Sequence, residues 1–161
     1  KQHNKEIVDF FAAVGHGWVN DDETAWCAAF VGAMLNEAGL TSTKALNARS
    51  YLDWGVEVPL DEAREGDIVV FWRGSPDAAT GHVGFFEAET DKTIRVLGGN
   101  QSNSVSVAGY KKERLLSVRR MPRRLHPMPP MPEPANDKPK SLIDAIVGII
   151  MAFISSLKGG K

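Results

Sequence analysis

The chain has 161 residues, 43% of them hydrophobic and 24% charged, with a formal net charge of −1. That is enough apolar material for one core without metal or disulfide staples, and the near-neutral balance argues against a nucleic-acid partner. The single cysteine excludes an intramolecular disulfide framework, and one cysteine with four scattered histidines shows no metal-ligand spacing.

Residues 1–13 mix charges with apolar positions and carry no visible signal peptide. Ile7, Val8, Phe10, Phe11 and Val14 recur at helical spacing, which predicts an amphipathic helix over 4–13 that ends at Gly15-His16-Gly17. Asp21-Asp22-Glu23-Thr24 then precedes an apolar run from Ala25 to Leu40. Asp22 or Thr24 is the expected N-cap, Gly39 the expected stop, and Cys27 falls in the first turn. Residues 43–54 predict a second, shorter helix stopped by Gly55, followed by a turn-rich connector over 59–66. The period then changes. Residues 67–72, 82–88, 93–98, 104–107 and 115–121 are short β-branched or aromatic runs between turn residues, with Asp91-Lys92 as a hairpin tip. Helices first and a largely antiparallel sheet second is an α+β layout.

Composition breaks at Pro122. Seven prolines in 122–140 predict a stiff, extended linker between a body over 1–121 and an apolar segment over 141–161. The body holds 13 Lys and Arg against 17 Asp and Glu, a net of −4; residues 122–161 hold 6 against 3, a net of +3. A helix over 142–157 reaches roughly 24 Å, short of the ~30 Å hydrocarbon core, and carries Asp144. Contact with a membrane through 141–157 is expected rather than a span; self-association and docking on the body are the alternatives.

Three segments carry the chemistry. Cys27 at a helix start has backbone N–H groups and the positive end of the helix dipole near its sulfur, which favours thiolate and offers an oxyanion site. His82 opens a strand in Gly81-His82-Val83-Gly84, with glycines that leave room for close approach. Ile94, Val96, Gly98 and Asn100 alternate onto one face, so Asn100 caps a neighbouring strand and is the expected orienter of the imidazole; Gln101, one residue on, is able to exchange roles with it. A nucleophile, a base and a polar orienter are what thiol hydrolysis requires. His16 is a minor alternative base. Trp26 and Trp72 are candidates to flank a substrate groove, and Arg49, Arg73 and Gln101 to contact substrate.

Five ordered segments look familiar: Thr24-Ala25-Trp26-Cys27-Ala28-Ala29-Phe30-Val31, Ala48-Arg49-Ser50-Tyr51-Leu52, Gly66-Asp67-Ile68-Val69-Val70-Phe71, Gly81-His82-Val83-Gly84-Phe85 and Leu97-Gly98-Gly99-Asn100-Gln101-Ser102-Asn103. From about Ile7 to Met121 the chain resembles the CHAP and NlpC-type cysteine peptidases of the papain-like group, most of all a small phage and bacterial subgroup. The resemblance implies a papain-like fold, a nucleophilic Cys27, a general-base His82 and a polar third residue. It also implies bacterial peptidoglycan as substrate, cut at an amide within the stem peptide or between peptide and glycan, at the cell wall or in the periplasm. Many CHAP enzymes carry a calcium loop before the cysteine. The Asp-x-Asp-Gly spacing is absent around Asp21-Asp22-Glu23, so neither calcium nor any other cofactor is expected. Many also have an acidic third residue, where this chain offers an amide. The expected role is a phage endolysin; a secreted antibacterial toxin of the same chemistry and a non-catalytic wall- or membrane-binding protein are the competing readings.

Overall fold

The computed structural model describes residues 3–121 and Gly148. The expected linker over 122–140 and helix over 141–161 lie outside the described residues.

Two helices precede a six-stranded sheet. Helix α1 (Lys5–Ala13) starts where the Asn4 side chain accepts a hydrogen bond from the Glu6 N–H, and it buries Ile7, Phe10 and Phe11. Helix α2 (Cys27–Glu37) buries every residue from Cys27 to Leu35, because it packs against α1 on one side and the sheet on the other. The strands are β1 (Val56–Val58), β2 (Ile68–Trp72), β3 (Gly81–Glu89), β4 (Thr93–Gly98), β5 (Ser106–Lys111) and β6 (Leu115–Arg120). Their order is β1-β6-β2-β3-β4-β5, with every pairing antiparallel. This is an α+β fold of the papain-like kind.

Strand alternation divides the core. Ile68, Val70, Val83, Phe85 and Leu97 pack with the helices, while Val69, Phe71, Phe86, Ile94, Val96 and Val118 form a second cluster. The central strands are buried on both faces, which explains why 68–71 reads as continuously apolar. Asp67 in the Gly66-Asp67 segment is structural: its carboxylate takes the Arg120 guanidinium in a two-point pair at 2.6 and 2.9 Å and accepts from the Arg64 N–H.

Three local expectations need correction, and one strand was not expected. The helix predicted over 43–54 is a 3-10 helix confined to Ala48–Asp53, capped by the Asn47 side chain; Lys44 at φ 59° interrupts the helical path before it. Helix α2 starts at Trp26 with no side-chain cap, because Asp21 instead accepts from the Glu23 and Thr24 N–H groups and the Thr24 hydroxyl. The strand predicted over 104–107 is β5, beginning at Ser106 and running to Lys111. Before it the chain turns tightly, with the Gln101 N–H bonded to Ser104 O and Ser102 and Asn103 both at positive φ. Strand β1, too short for a period-2 pattern, is held by its pairing with β6.

Candidate active site

Cys27 is the first residue of α2, and its position follows from the fully apolar run that makes α2 a buried helix. Without a side-chain cap, the first N–H groups of the helix are available to other acceptors. The backbone N–H groups of Cys27, Ala28 and Val83 face the sulfur, as does the charge of Arg73, and all four favour thiolate. Burial outweighs them and pushes the thiol above its ordinary value. The sulfur is therefore protonated at neutral pH, in a setting that stabilises the anion once the proton has somewhere to go. The buried Tyr51 hydroxyl donates to Ala28 O at 3.3 Å and anchors this first turn. Burial pushes its own pKa up to about 12.

His82 is fully buried, paired with Phe71 across β2 and β3. Its Nε2 lies 3.1 Å from Gln101 Oε1. The carboxamide nitrogen of Gln101 donates to Ser106 O and, at 3.2 Å, to Ser106 Oγ, so the oxygen is the end turned to the imidazole. Nε2 therefore carries the hydrogen, and Nδ1 presents a lone pair. Gly98 is required for this bond. A Cβ there would stand 3.0 Å from Gln101 Oε1 and 3.1 Å from His82 Nε2. Gly99 is more tightly constrained, since its Cβ would stand 2.5 Å from the Trp26 ring and 2.6 Å from Phe30 Cβ. The Gly98-Gly99 pair is thus where the end of β4 meets His82 on one side and Trp26 and Phe30 on the other.

On the other side of the ring, Arg73 Nη2 lies 3.2 Å from Nδ1. Tyr110 stacks on the imidazole at 4.7 Å between ring centroids, 14° from parallel, and on Phe71 at 4.9 Å. Burial, then the Arg73 charge, lowers the His82 pKa to about 4, against a partial opposing effect of the Gln101 bond. The resting pair is neutral thiol and neutral imidazole, and among the described hydrogen bonds none joins Cys27 to His82. His82 instead bonds Arg73, whose charge also acts on Cys27.

The expected third residue was Asn100, and the structure puts Gln101 in that place. Strand β4 ends at Gly98, and Asn100 adopts φ 58°, which breaks the two-residue alternation that was expected to carry it onto the His82 face. The chain reverses there, and the next side chain turns inward. Gln101, expected also as a substrate contact, is buried and fully bonded within the site. Arg49 does not reach outward to substrate either: its guanidinium donates to Pro76 O at 2.7 Å and Thr80 O at 3.4 Å, holding the loop after β2. Trp26 is buried and stacks on Phe10, with its Nε1 unpartnered, so it packs the core beside Cys27 rather than flanking an open groove. Trp72 is half-buried, donates to Glu113 O at 3.2 Å and lies under the Arg114 guanidinium. His16 bonds Lys44 O at 2.7 Å, away from the sulfur. Tyr51 and Tyr110 were not singled out as site residues from the sequence. Tyr110 alternates on β5 like any half-buried strand tyrosine, and nothing local distinguishes it.

A family model described as the CHAP domain matches residues 19–100, half of the chain. The chain belongs to the CHAP domain family. A comparison with curated proteins found no match. The CHAP domain indicates a cysteine peptidase acting as a peptidoglycan hydrolase, of the amidase or endopeptidase kind, with peptidoglycan as substrate. In this CHAP domain the matched span contains Cys27 and His82 and stops one residue before Gln101.

Proposed function

We propose that the chain is a cysteine-dependent hydrolase that cuts an amide bond in bacterial peptidoglycan and serves as a phage endolysin. Cys27 is the nucleophile, His82 the general base and acid, and Gln101 the residue that orients the imidazole. The observation that carries this reading is the Gln101 bond to Nε2, which leaves the lone pair on Nδ1, the nitrogen that Arg73 approaches at 3.2 Å.

The thiol proton passes from Sγ to Nδ1, and the thiolate attacks the amide carbonyl carbon. The oxyanion takes hydrogen bonds from the uncapped N–H groups at the start of α2. His82 returns the proton to the departing amine nitrogen, and the C–N bond breaks, leaving a thioester. Water, deprotonated by His82, releases the acid and restores the thiol. Body, linker and tail divide the work: residues 1–121 carry catalysis, and 141–157 engage a membrane on the way to the wall. Digestion of purified sacculi followed by mass spectrometry of the fragments identifies the cut bond. Undiminished digestion by Cys27→Ala would rule the mechanism out. Deletion of 141–161 is expected to abolish liposome binding and leave sacculus digestion intact.

A further inference from the structure

Resting on the reading of Cys27 and His82 as a hydrolytic pair, we propose that Arg73 is a specificity-determining gate. It occupies His82 Nδ1 at rest and leaves it to bind a carboxylate of the wall peptide near the scissile amide.

The Gln101 bond commits Nε2 as a donor, so Nδ1 is the atom that must receive the thiol proton. Arg73 already donates to that atom. One lone pair does not serve both donors, so proton transfer from Cys27 requires the guanidinium to move. Placement allows this. Cys27 and His82 are buried, whereas Arg73 is exposed overall and stands on the loop over 73–80, with its guanidinium on His82 Nδ1. The loop itself is held independently of the Arg73 side chain. Thr80 Oγ1 donates to Arg73 O at 2.9 Å, and Arg49 bonds the carbonyls of Pro76 and Thr80. The guanidinium, which also bonds the Tyr110 side chain, can therefore leave the imidazole without unravelling its loop.

The charge of the incoming group follows from what Arg73 lacks. Arg95, Arg119 and Arg120 each pair with a carboxylate, while no carboxylate among the described residues pairs with Arg73. Its planar fork is suited to two-point recognition of a carboxylate. Peptide stems of the wall supply such groups beside their amide bonds. A carboxylate that draws the guanidinium off Nδ1 also neutralises the cation that opposes an imidazolium. The S–H bond then breaks, its proton bonds Nδ1, and thiolate and imidazolium form together with no other reactant. A neutral substrate leaves the guanidinium in place, so the site selects its substrate at the step that arms the nucleophile.

The test uses muropeptides that differ only in a free or amidated glutamate carboxylate, with the full chain as wild type, Arg73→Ala and Arg73→Gln. The wild type is expected to favour the free acid by about tenfold in kcat/KM, and both variants to cut the two substrates at similar rates. A preference for the acid that survives in both variants overturns the gate. A wild type that digests sacculi but treats both muropeptides alike sinks the gate alone. One that digests no sacculi sinks the hydrolase reading beneath it.

Discussion

His82 is held from two sides by two unlike pieces of structure. On the Nε2 side, Gln101 is buried, fixed by Ser106 and packed tightly against Gly98. On the Nδ1 side, Arg73 is exposed and rests on a loop. The first arrangement sets a tautomer permanently, because moving Gln101 would strand buried polar groups. The second is replaceable, because water or an anion can take over what Arg73 gives up. The proposed acid–base role of His82 would use this asymmetry: one nitrogen settled by the fold, the other left to the reaction.

The largest effect should come from removing what both sides serve. Cys27→Ala and His82→Ala are expected to lower sacculus digestion by about 10³-fold or more with the fold retained by circular dichroism. Next comes the fixed side. Gln101→Ala should cost about 10- to 100-fold in kcat, since the imidazole loses its tautomer, whereas Asn100→Ala should change kcat by less than about threefold. Equal losses in the two variants would break the distinction between them. Gly98→Ala presses on the same bond from the backbone. It should lose activity and about 1–3 kcal/mol of stability in denaturant unfolding, because the Cβ enters the space of Nε2 and Oε1.

The pH dependence of stability reads the environment of the ring directly. Above about pH 6.5 the imidazole is neutral in both the folded and the unfolded chain. As pH falls toward the folded value of about 4, only the unfolded chain takes up the proton. Stability is therefore lost across that window, by about 3 kcal/mol in all, with no further loss from this group below it. His82→Gln should flatten this part of the profile. Arg73→Ala should narrow it, because the cation that holds the folded pKa down is gone. The smallest effect belongs to Asn100 as a turn residue. Its φ of 58° predicts that Asn100→Ala costs about 1 kcal/mol and that Asn100→Gly costs less.

Much of the fold was legible because it rests on periodicity. Helix α1, the buried run of α2, the hairpin at Asp91-Lys92 and the change from helical to strand period each depend on neighbours in sequence. The predicted helix over 43–54 failed where a single left-handed residue, Lys44, and an Asn47 cap shortened it. The strand predicted over 104–107 failed in the same way, displaced by a turn whose closing bonds lie within 101–104. Cys27 and His82 stood out because a first-turn cysteine and a glycine-flanked strand histidine carry local marks. Arg49 and Trp26 carry similar marks, and the structure uses both inside the protein.

By itself, the sequence settled which residue types exist to do chemistry, the α+β order of elements, and the helix start and strand that bear Cys27 and His82. Those are properties of chain-local pattern and backbone propensity. Only the tertiary structure decided between Asn100 and Gln101, turned Arg49 to the loop, and set Tyr110 and Arg73 on the imidazole. Each of those outcomes depends on where a turn points a side chain and which distant strand meets it. A one-residue change in direction after Gly98 reverses the choice of orienter, and no periodicity in the sequence records it.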